Sequence, residues 1–203
     1  SAPLSSYPEP MRVHVSQHPL VAHKLHVLRD ESTSSAVFRQ VVGELTTIVA
    51  LEATAELGLE TKPITTPVAE MDAQTLARPR PIAVPILRAG LGMLDAFLNL
   101  VPVADAGFLG LKRNEATLKP EVYARRFPTD SAGRHMFLLD PMLATGNSAV
   151  AAVERLKEAK PRSIRFVCLV SCPEGIRNFK AAHPDVPIYT AAIDRELNDH
   201  GYI

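Results

Sequence analysis

The segment from Met136 to Ser148 holds the residues of this chain that are best suited to chemistry. An apolar run ends at a single acid, Asp140, and the turn Pro-Met-Leu-Ala-Thr-Gly-Asn-Ser then leads into a helical pattern. Such a strand–turn–helix connection directs backbone N–H groups at the positive end of a helix, where a phosphate can bind. Asp140 is placed to accept hydrogen bonds from sugar hydroxyls. The segment therefore predicts a site for a phosphorylated sugar.

Individual residues of this turn support the prediction. Gly146 lets a ligand approach the backbone closely, and Thr145 and Ser148 add hydroxyl groups. We also expect Ser148 to be the N-cap of the following helix. An ordinary β-to-α connection, in which Asp140 and Thr145 only satisfy local backbone groups, remains open because turns that contain glycine are common.

A second turn, at residues 88–92, offers a cation. Arg88 directly follows an apolar run, and a guanidinium beside the amides of Ala89 and Gly90 suits a pyrophosphate. A surface arginine beside a flexible turn is the alternative. The sequence contains neither G-x-G-x-x-G nor G-x-x-x-x-G-K-[ST], which argues against a Rossmann dehydrogenase and a P-loop NTPase.

Residues 112–135 are charged and contain Pro120 and Pro128. We predict a mobile hairpin or flap here, whose cations Lys112 and Arg113 close over an anionic substrate and exclude water. A solvated hairpin is the favoured interpretation of three further cations, namely Lys119, Arg125 and Arg126.

The elements that position these turns follow from the apolar pattern beyond residue 81. Apolar segments that predict strands alternate with helical patterns; the strands are predicted at 82–87, 106–111, 136–140, 164–170 and 188–193, and the helices at 93–100, 148–160 and 175–182. This alternation predicts a mostly parallel sheet that is covered on both faces. Ligands of such sheets bind beyond the carboxyl ends of the strands, where both turns fall. We therefore expect one shared site.

The first part of the chain is predicted to be more helical. After an expected disordered leader at 1–10, an extended segment precedes a helix that begins near Leu20. Residues 32–35 supply N-cap candidates for a long helix whose apolar pattern ends at Gly58, and 61–80 predict an irregular segment or an edge strand. The long helix has a broad apolar face that packs within the chain or against a second copy.

Composition limits the function classes. The 203 residues are 46% hydrophobic, and 22 basic side chains balance 22 acidic ones, which argues against nucleic acid and membrane surfaces as partners. No apolar run approaches the ~20 residues of a membrane span. Cys168 and Cys172 are predicted to be packed rather than to bind zinc, and two thiols fit a reducing cytoplasm. Four early histidines lack metal-ligand spacing and favour surface or capping roles: His14, His18, His23 and His26.

Together these motifs resemble the type I phosphoribosyltransferases, and among them the uracil phosphoribosyltransferases. Residues 140–148 resemble the family's loop for phosphoribosyl pyrophosphate (PRPP), with the Asp-Pro head of the uracil enzymes, and residues 85–93 resemble its pyrophosphate loop. Further similar segments are Arg113-Asn-Glu115, His18-Pro-Leu20, Pro173-Glu-Gly175, His183-Pro-Asp-Val186 and Asn198-Asp-His-Gly-Tyr-Ile203. The resemblance runs from about residue 11 to the end. It implies one α/β domain over 11–203 with a type I phosphoribosyltransferase-like fold. In this fold a mostly parallel central sheet is flanked by helices. A flap hairpin at about 112–135 and an N-terminal helical arm complete the domain.

The resemblance also implies an activity and its residues. Uracil and PRPP would give UMP and pyrophosphate in pyrimidine salvage, with Mg²⁺ held mainly through PRPP and no metal ligands assigned to the protein. The implied catalytic residues are Asp140, Arg88 and Arg113. The implied PRPP-binding residues are Arg88, Ala89, Gly90, Arg113, Asp140, Pro141, Met142, Leu143, Ala144, Thr145, Gly146, Asn147 and Ser148, and the implied uracil-binding residues are Tyr202 and Ile203.

The same resemblance implies a cytoplasmic homo-oligomer, a dimer or tetramer, with GTP as an activator. A non-catalytic PRPP-binding regulator of pyrimidine metabolism is the alternative function. Two departures stand out. Asn147 occupies a position where a second glycine is common, although its amide can still donate. The base-binding segment at about 194–203 is expected to be truncated, because the printed sequence stops at Ile203, where the family continues into a Gly/Asp-rich tail.

Overall fold

A computed structural model describes residues 12–197 of the chain. Its strands are β1 (Val13–Val15), β2 (Leu59–Thr65), β3 (Glu70–Leu76), β4 (Ile82–Leu87), β5 (Asp105–Ala106), β6 (Phe108–Arg113), β7 (Pro120–Arg126), β8 (His135–Leu139), β9 (Met142–Leu143), β10 (Ser163–Val167), β11 (Val170–Ser171), β12 (Ile188–Thr190) and β13 (Ala192–Ile193). Its helices are α1 (Pro19–Arg29), α2 (Ser35–Ala53), α3 (Leu91–Leu100), α4 (Asn147–Glu158) and α5 (Pro173–Ala182).

The main sheet confirms the predicted parallel architecture. Its strands follow the order β1-β12-β10-β8-β4-β6-β7, and β5 also pairs with β4. All of these pairings are parallel except the β6–β7 hairpin. Pro85 pairs with Leu139, and Leu87 pairs with Gly110. The carboxyl ends of β4, β6 and β8 therefore lie at the same edge of the sheet. A smaller parallel sheet, β13-β11-β9, includes two residues of the 140–148 turn.

Helices cover both faces of the main sheet because its central strands bury side chains on both sides. Ala83 of β4 and Phe137 of β8 face a core that they share with α1, α2 and α3. Their neighbours Ile82 and Met136 face a second core that they share with α4 and α5. Period-two alternation along a strand assigns successive side chains to opposite faces, which produces this three-layered arrangement.

One predicted boundary in the first part of the chain is wrong, and one segment is more regular than predicted. The long helix ends at Ala53 rather than at Gly58, since the Thr54 hydroxyl donates to the Ala50 and Leu51 carbonyls at 2.8 and 3.1 Å. The segment at 61–80, predicted to be irregular or an edge strand, contains strand structure: β2 and β3 form a regular antiparallel hairpin and a sheet of their own.

Two smaller predictions, on His18 and on the two cysteines, are confirmed. His18 caps α1 by accepting a hydrogen bond from the Leu20 amide at 3.2 Å. Cys168 and Cys172 are buried free thiols. Among residues 12–197, no helix combines the length and the apolar character that crossing a bilayer requires. The predicted leader at 1–10 lies outside the described residues.

Candidate active site

The 140–148 loop connects β8 to α4 through a left-handed residue. Gly146 has φ +86°, a conformation that favours glycine, and α4 begins at the next residue, Asn147. The prediction that Ser148 caps this helix is therefore wrong, because the left-handed turn starts the helix one residue earlier and places Ser148 inside its first turn. Ser148 is exposed there, beside the first amides of α4.

The carbonyl groups of the loop point towards the start of α5. The Leu143 carbonyl accepts from the Cys172 amide at 3.2 Å, and the Ala144 carbonyl accepts from the Cys172 thiol at 2.9 Å. The Thr145 carbonyl accepts from the side-chain amide of Asn178 at 2.8 Å. In a trans peptide the carbonyl and the next N–H point in opposite directions. The N–H groups that follow these three carbonyls are therefore directed away from α5.

These amides are available to a ligand. Within residues 12–197, the amides of Ala144, Thr145, Gly146 and Ser148 donate to no acceptor, and that of Asn147 reaches only the Thr145 hydroxyl at 3.4 Å. A row of such amides at the first turn of a helix forms an anion-binding concavity. The structure thus gives the predicted loop the geometry of a phosphate site.

Gly175 explains how α5 comes so close to the loop. A Cβ on Gly175 would lie 2.8 Å from the Leu143 carbonyl oxygen and still closer to that of Ala144. A Cβ on Gly146 would in turn lie 2.8 Å from the Gly175 carbonyl oxygen. Only two facing glycines allow the two backbones to approach to this distance.

Asp140 stands at the carboxyl end of β8 with an unusual protonation equilibrium. Its side chain is half-buried and accepts no hydrogen bond from any group within residues 12–197. Burial raises the pKa of the Asp140 carboxyl to about 7. Hydroxyl groups of a bound ligand would stabilise the ionised form of this carboxyl, because they donate hydrogen bonds in place of the water that burial removes.

The Arg88 turn lies directly against the strand that ends at Asp140. The turn begins with a cis peptide bond between Leu87 and Arg88. A Cβ on Gly90 would lie 2.5 Å from the Leu139 carbonyl oxygen and 2.8 Å from the backbone of Ile86. This contact requires a glycine and confirms that the two predicted turns lie side by side.

A cationic cleft opens beside the Arg88 turn. Its volume is about 820 Å³, and it is lined by Leu87, Arg88, Ala89, Leu111, Lys112 and Tyr123. Arg88 comes from the end of β4 and Lys112 from β6, so two strands contribute a positive charge each. Two cations in a concave site favour a polyanion such as pyrophosphate.

The predicted flap at 112–135 overlaps the β6–β7 hairpin, which begins earlier, at Phe108, and ends at Arg126. Arg113 is the last residue of β6 and is exposed, and its side chain is not among those that line the cleft. Beyond it, the Asn114 side chain accepts from the Ala116 and Thr117 amides at 2.8 Å each, which shapes the hairpin turn. On the return strand, Arg125 pairs with Glu158 of α4, which gives this arginine a role at the base of the hairpin.

The comparison with known proteins places this arrangement in a family. The model of the uracil phosphoribosyltransferase family matches residues 15–203. The chain belongs to the uracil phosphoribosyltransferase family. It is similar to the uracil phosphoribosyltransferase of Acidovorax ebreus, with 52% identity over 94% of this chain and 91% of that protein. That of Beutenbergia cavernae is also 52% identical, over 95% of this chain and 93% of that protein.

Solved structures agree with the family fold. A protein from Aquifex aeolicus has a TM-score of 0.89 and 36% identity over 94% of this chain and 91% of its own. A hypoxanthine-guanine phosphoribosyltransferase from Bacillus anthracis has a TM-score of 0.55 at 12% identity, over 78% of this chain and 80% of its own, and it shares the fold. The expected α/β phosphoribosyltransferase fold is confirmed.

Relative to the family motifs, the structure adds residues that the sequence had given no role. Cys172, Gly175 and Asn178 hold the carbonyl side of the 140–148 loop, and Tyr123 lines the cleft of Arg88 and Lys112. The Pro173-Glu-Gly175 motif pointed to the start of α5, but its sequence does not predict that α5 contacts the 140–148 loop. The predicted uracil residues Tyr202 and Ile203 lie outside the described residues.

The approach to that region is described up to residue 197. The Asp194 carboxylate pairs with Arg29 of α1, and the Asp194 amide donates to the Ser171 carbonyl at 2.7 Å. The start of the predicted base-binding segment is thus fixed to α1 and β11.

Proposed function

We propose that this chain transfers the 5-phosphoribosyl group of PRPP to N1 of uracil and releases pyrophosphate, forming UMP. Membership of the uracil phosphoribosyltransferase family supports this reaction. The observation that carries it is the proximity, at one sheet edge, of the amides at 144–148 that have no acceptor within residues 12–197 and of the cleft lined by Arg88 and Lys112. The comparisons give no support to the non-catalytic regulator.

The proposed roles follow the geometry. Amides and hydroxyls of residues 144–148 would hold the 5′-phosphate, and Asp140 would accept hydrogen bonds from the ribose hydroxyls. Arg88 and Lys112 would stabilise the pyrophosphate as charge develops on it, and closure of the hairpin would bring Arg113 to the same group. The chain supplies no nucleophile in this proposal, so that positioning and electrostatic stabilisation lower the barrier.

Mg²⁺ fits this site as an ion that is bound mainly through PRPP. Asp140 is the one carboxylate at the head of the loop, and Pro141 follows it. Within residues 12–197, no group of three or more histidine, cysteine, aspartate or glutamate side chains is arranged to hold a metal. Mg²⁺ is commonly bound by one or two carboxylates together with substrate phosphates and water. When bound, it would neutralise charge on the pyrophosphate.

A turnover assay tests the reaction directly. The chain is mixed with PRPP, Mg²⁺ and uracil, and UMP is measured chromatographically, with cytosine and a chelator in parallel reactions. We expect UMP only with uracil and Mg²⁺. PRPP binding without UMP formation would contradict the proposal and favour the regulator.

Arg88→Ala tests the assignment of the cleft. We expect kcat/KM for PRPP to fall about 100-fold, as for removal of one transition-state stabilising group, with an unchanged thermal midpoint. Arg162→Ala is the matched control, because Arg162 is an exposed arginine directly before β10, at the end of the sheet opposite to the site. Unchanged kinetics of Arg88→Ala would remove this residue from the site.

We also propose that the chain forms a homo-oligomer. The β2–β3 hairpin carries exposed apolar side chains, among them Ile64, Met71 and Val68, which is 93% exposed at the hairpin turn. Apolar groups clustered on a projecting element mark an interaction surface. Light scattering after gel filtration gives the mass, and Val68→Asp should lower it. Activation by GTP, implied by the resemblance, stays a prediction that adding GTP to the turnover assay tests.

A further inference from the structure

Asn178 occupies a special position between α5 and the 140–148 loop. Its side-chain nitrogen donates to the Thr145 carbonyl at 2.8 Å and to the side-chain oxygen of Asn147 at 3.0 Å. These partners lie 33 and 31 residues away along the chain. One amide group thus holds two parts of the loop at once.

The hold on Thr145 orients a backbone amide. Because the Thr145 carbonyl is directed at Asn178, the N–H of Gly146 in the same trans peptide points to the opposite side. That N–H belongs to the row of amides without an acceptor among residues 12–197. Loss of the Asn178 donor would free this peptide to rotate, since Gly146 tolerates many backbone conformations.

The hold on Asn147 removes a competitor. Asn147 is the first residue of α4, and its side chain stands beside the amides of the first turn. Asparagine side-chain oxygens readily accept hydrogen bonds from nearby backbone N–H groups at helix starts. An unrestrained Asn147 oxygen would therefore occupy amides that a phosphate needs. The Asn178 amide binds this oxygen and keeps it from them.

Asn178 can act in this way because α5 is fixed beneath the loop. Gly175, one turn earlier, packs against the Leu143 and Ala144 carbonyls, and Cys172 donates to both of these groups. Phe179 and Ile176 are buried in the core with α4. The donor therefore stands on a rigid support.

We propose that Asn178 is a positioning residue for PRPP, which keeps the Gly146 amide aimed at the 5′-phosphate and the Asn147 side chain out of its site. This rests on the proposed assignment of residues 144–148 to the 5′-phosphate. Asn178 touches no substrate in this proposal, and it acts through the loop alone.

The test compares Asn178→Ala and Asn178→Asp with Asn99→Ala, a control on the exposed surface of α3 whose side chain makes no hydrogen bond within residues 12–197. Calorimetry gives the Kd for PRPP, and turnover gives KM for each substrate. We expect the Kd and KM for PRPP to rise about fivefold to tenfold for alanine, as for loss of the one hydrogen bond that the misdirected Gly146 amide would no longer donate to the phosphate. Aspartate should cost more, because its carboxylate would face two oxygens. The KM for uracil and the thermal midpoint should change little.

A second substitution separates this role from simple support of the fold. In the Asn178→Ala background, Asn147→Gly removes the competing oxygen and should recover at least half of the lost PRPP affinity. An unchanged Kd for PRPP in Asn178→Ala, or a loss that Asn147→Gly leaves in place, would overturn the proposal. Failure of the reaction itself appears differently, as PRPP binding without UMP.

Discussion

The 140–148 loop and the β6–β7 hairpin are both proposed to bind anions, but they are built in opposite ways. The loop uses backbone amides whose carbonyl partners are bound to α5, so its geometry is set before a ligand arrives. The hairpin presents Lys112 and Arg113 on long, exposed side chains. Fixed dipoles lose little freedom on binding, whereas flexible cations lose rotamer entropy but can follow a group that moves. This division suits a reaction in which the 5′-phosphate stays in place and the pyrophosphate leaves.

The comparison predicts its largest effect for Gly175→Ala. The new Cβ would meet two backbone oxygens of the loop, which cannot move as a side chain can. We expect about a 100-fold fall in kcat/KM for PRPP, as for a displacement of ~1 Å in a site. The free energy of unfolding should fall by about 1–3 kcal/mol.

Gly43→Ala is the matched control for this prediction. Gly43 also lies in a helix, but its Cβ would find only the Cβ of Ala96, at 3.9 Å. The free energy of unfolding of this variant, measured in urea, should rise by up to about 1 kcal/mol, because alanine favours helices. A Gly175→Ala protein with normal kinetics would refute the rigid support of the loop.

Asp140→Asn should have the next largest effect. An amide accepts hydrogen bonds from sugar hydroxyls more weakly than a carboxylate, so kcat/KM for PRPP at pH 8 should fall about tenfold. In the parent, PRPP affinity should improve as pH rises through about 7, where the carboxyl ionises. The variant should lack this pH dependence. The difference between the two proteins separates the titration of Asp140 from that of PRPP itself.

The Asp140 carboxyl should also make the stability of the parent depend on pH, in the opposite direction to PRPP affinity, and Asp140→Asn should remove this dependence. The folded carboxyl titrates near 7 and the unfolded one near 3.8, so the folded state binds more protons between these values. Stability therefore falls as pH rises through this window. Between pH 5 and pH 8, the parent should lose about 1–3 kcal/mol more than Asp140→Asn in urea unfolding. Parallel pH profiles would contradict the raised pKa.

Lys112→Ala and Arg113→Ala should have smaller effects. Because these cations are exposed, we expect KM for PRPP to rise about fivefold in dilute buffer and less at high salt, without a change in thermal midpoint. Arg126→Ala is the control, because Arg126 is exposed at the opposite end of the hairpin, where it pairs with Phe108, and it should change KM less than about twofold. A loss that is independent of salt would show that the hairpin is as fixed as the loop.

The smallest effect is expected for Gly110→Ala. A Cβ here would lie 2.6 Å from the ring of Tyr123, but this ring is half-exposed and can rotate away. We expect kcat/KM for PRPP to change less than about threefold, since small overpacking is relieved where side chains can move. A loss as large as that of Gly175→Ala would remove the contrast between the two regions.

Patterns local to the sequence predicted most of the site's scaffold. The buried strands β4 and β8 appear as short apolar runs, and the turns at Arg88 and Asp140 follow them directly. Their proximity followed from the rule that parallel strands end at one edge. At 61–80 the sequence left an irregular segment and an edge strand open and did not predict the β2–β3 pairing, because this hairpin is exposed on both faces and lacks the alternation that reveals a strand.

What the sequence could not predict are contacts between residues that are distant along the chain. Asn178 and Thr145 are separated along the chain by α4, β10 and β11, and no spacing rule encodes their contact. The error at Ser148 has a local cause. Serine is a good N-cap by type, but the left-handed Gly146 had already begun the helix.

The dependence of the loop on α5 has a consequence for protein engineering. A designer who transplants residues 140–148 into another scaffold would move the row of amides without the groups that bind the opposite side of each peptide. The smallest segment set that could be transplanted also includes residues Cys172 to Asn178 at the start of α5. Gly175 of this segment must pack against Gly146 as closely as it does here. Grafts should therefore be planned as two crossing segments rather than as one contiguous motif.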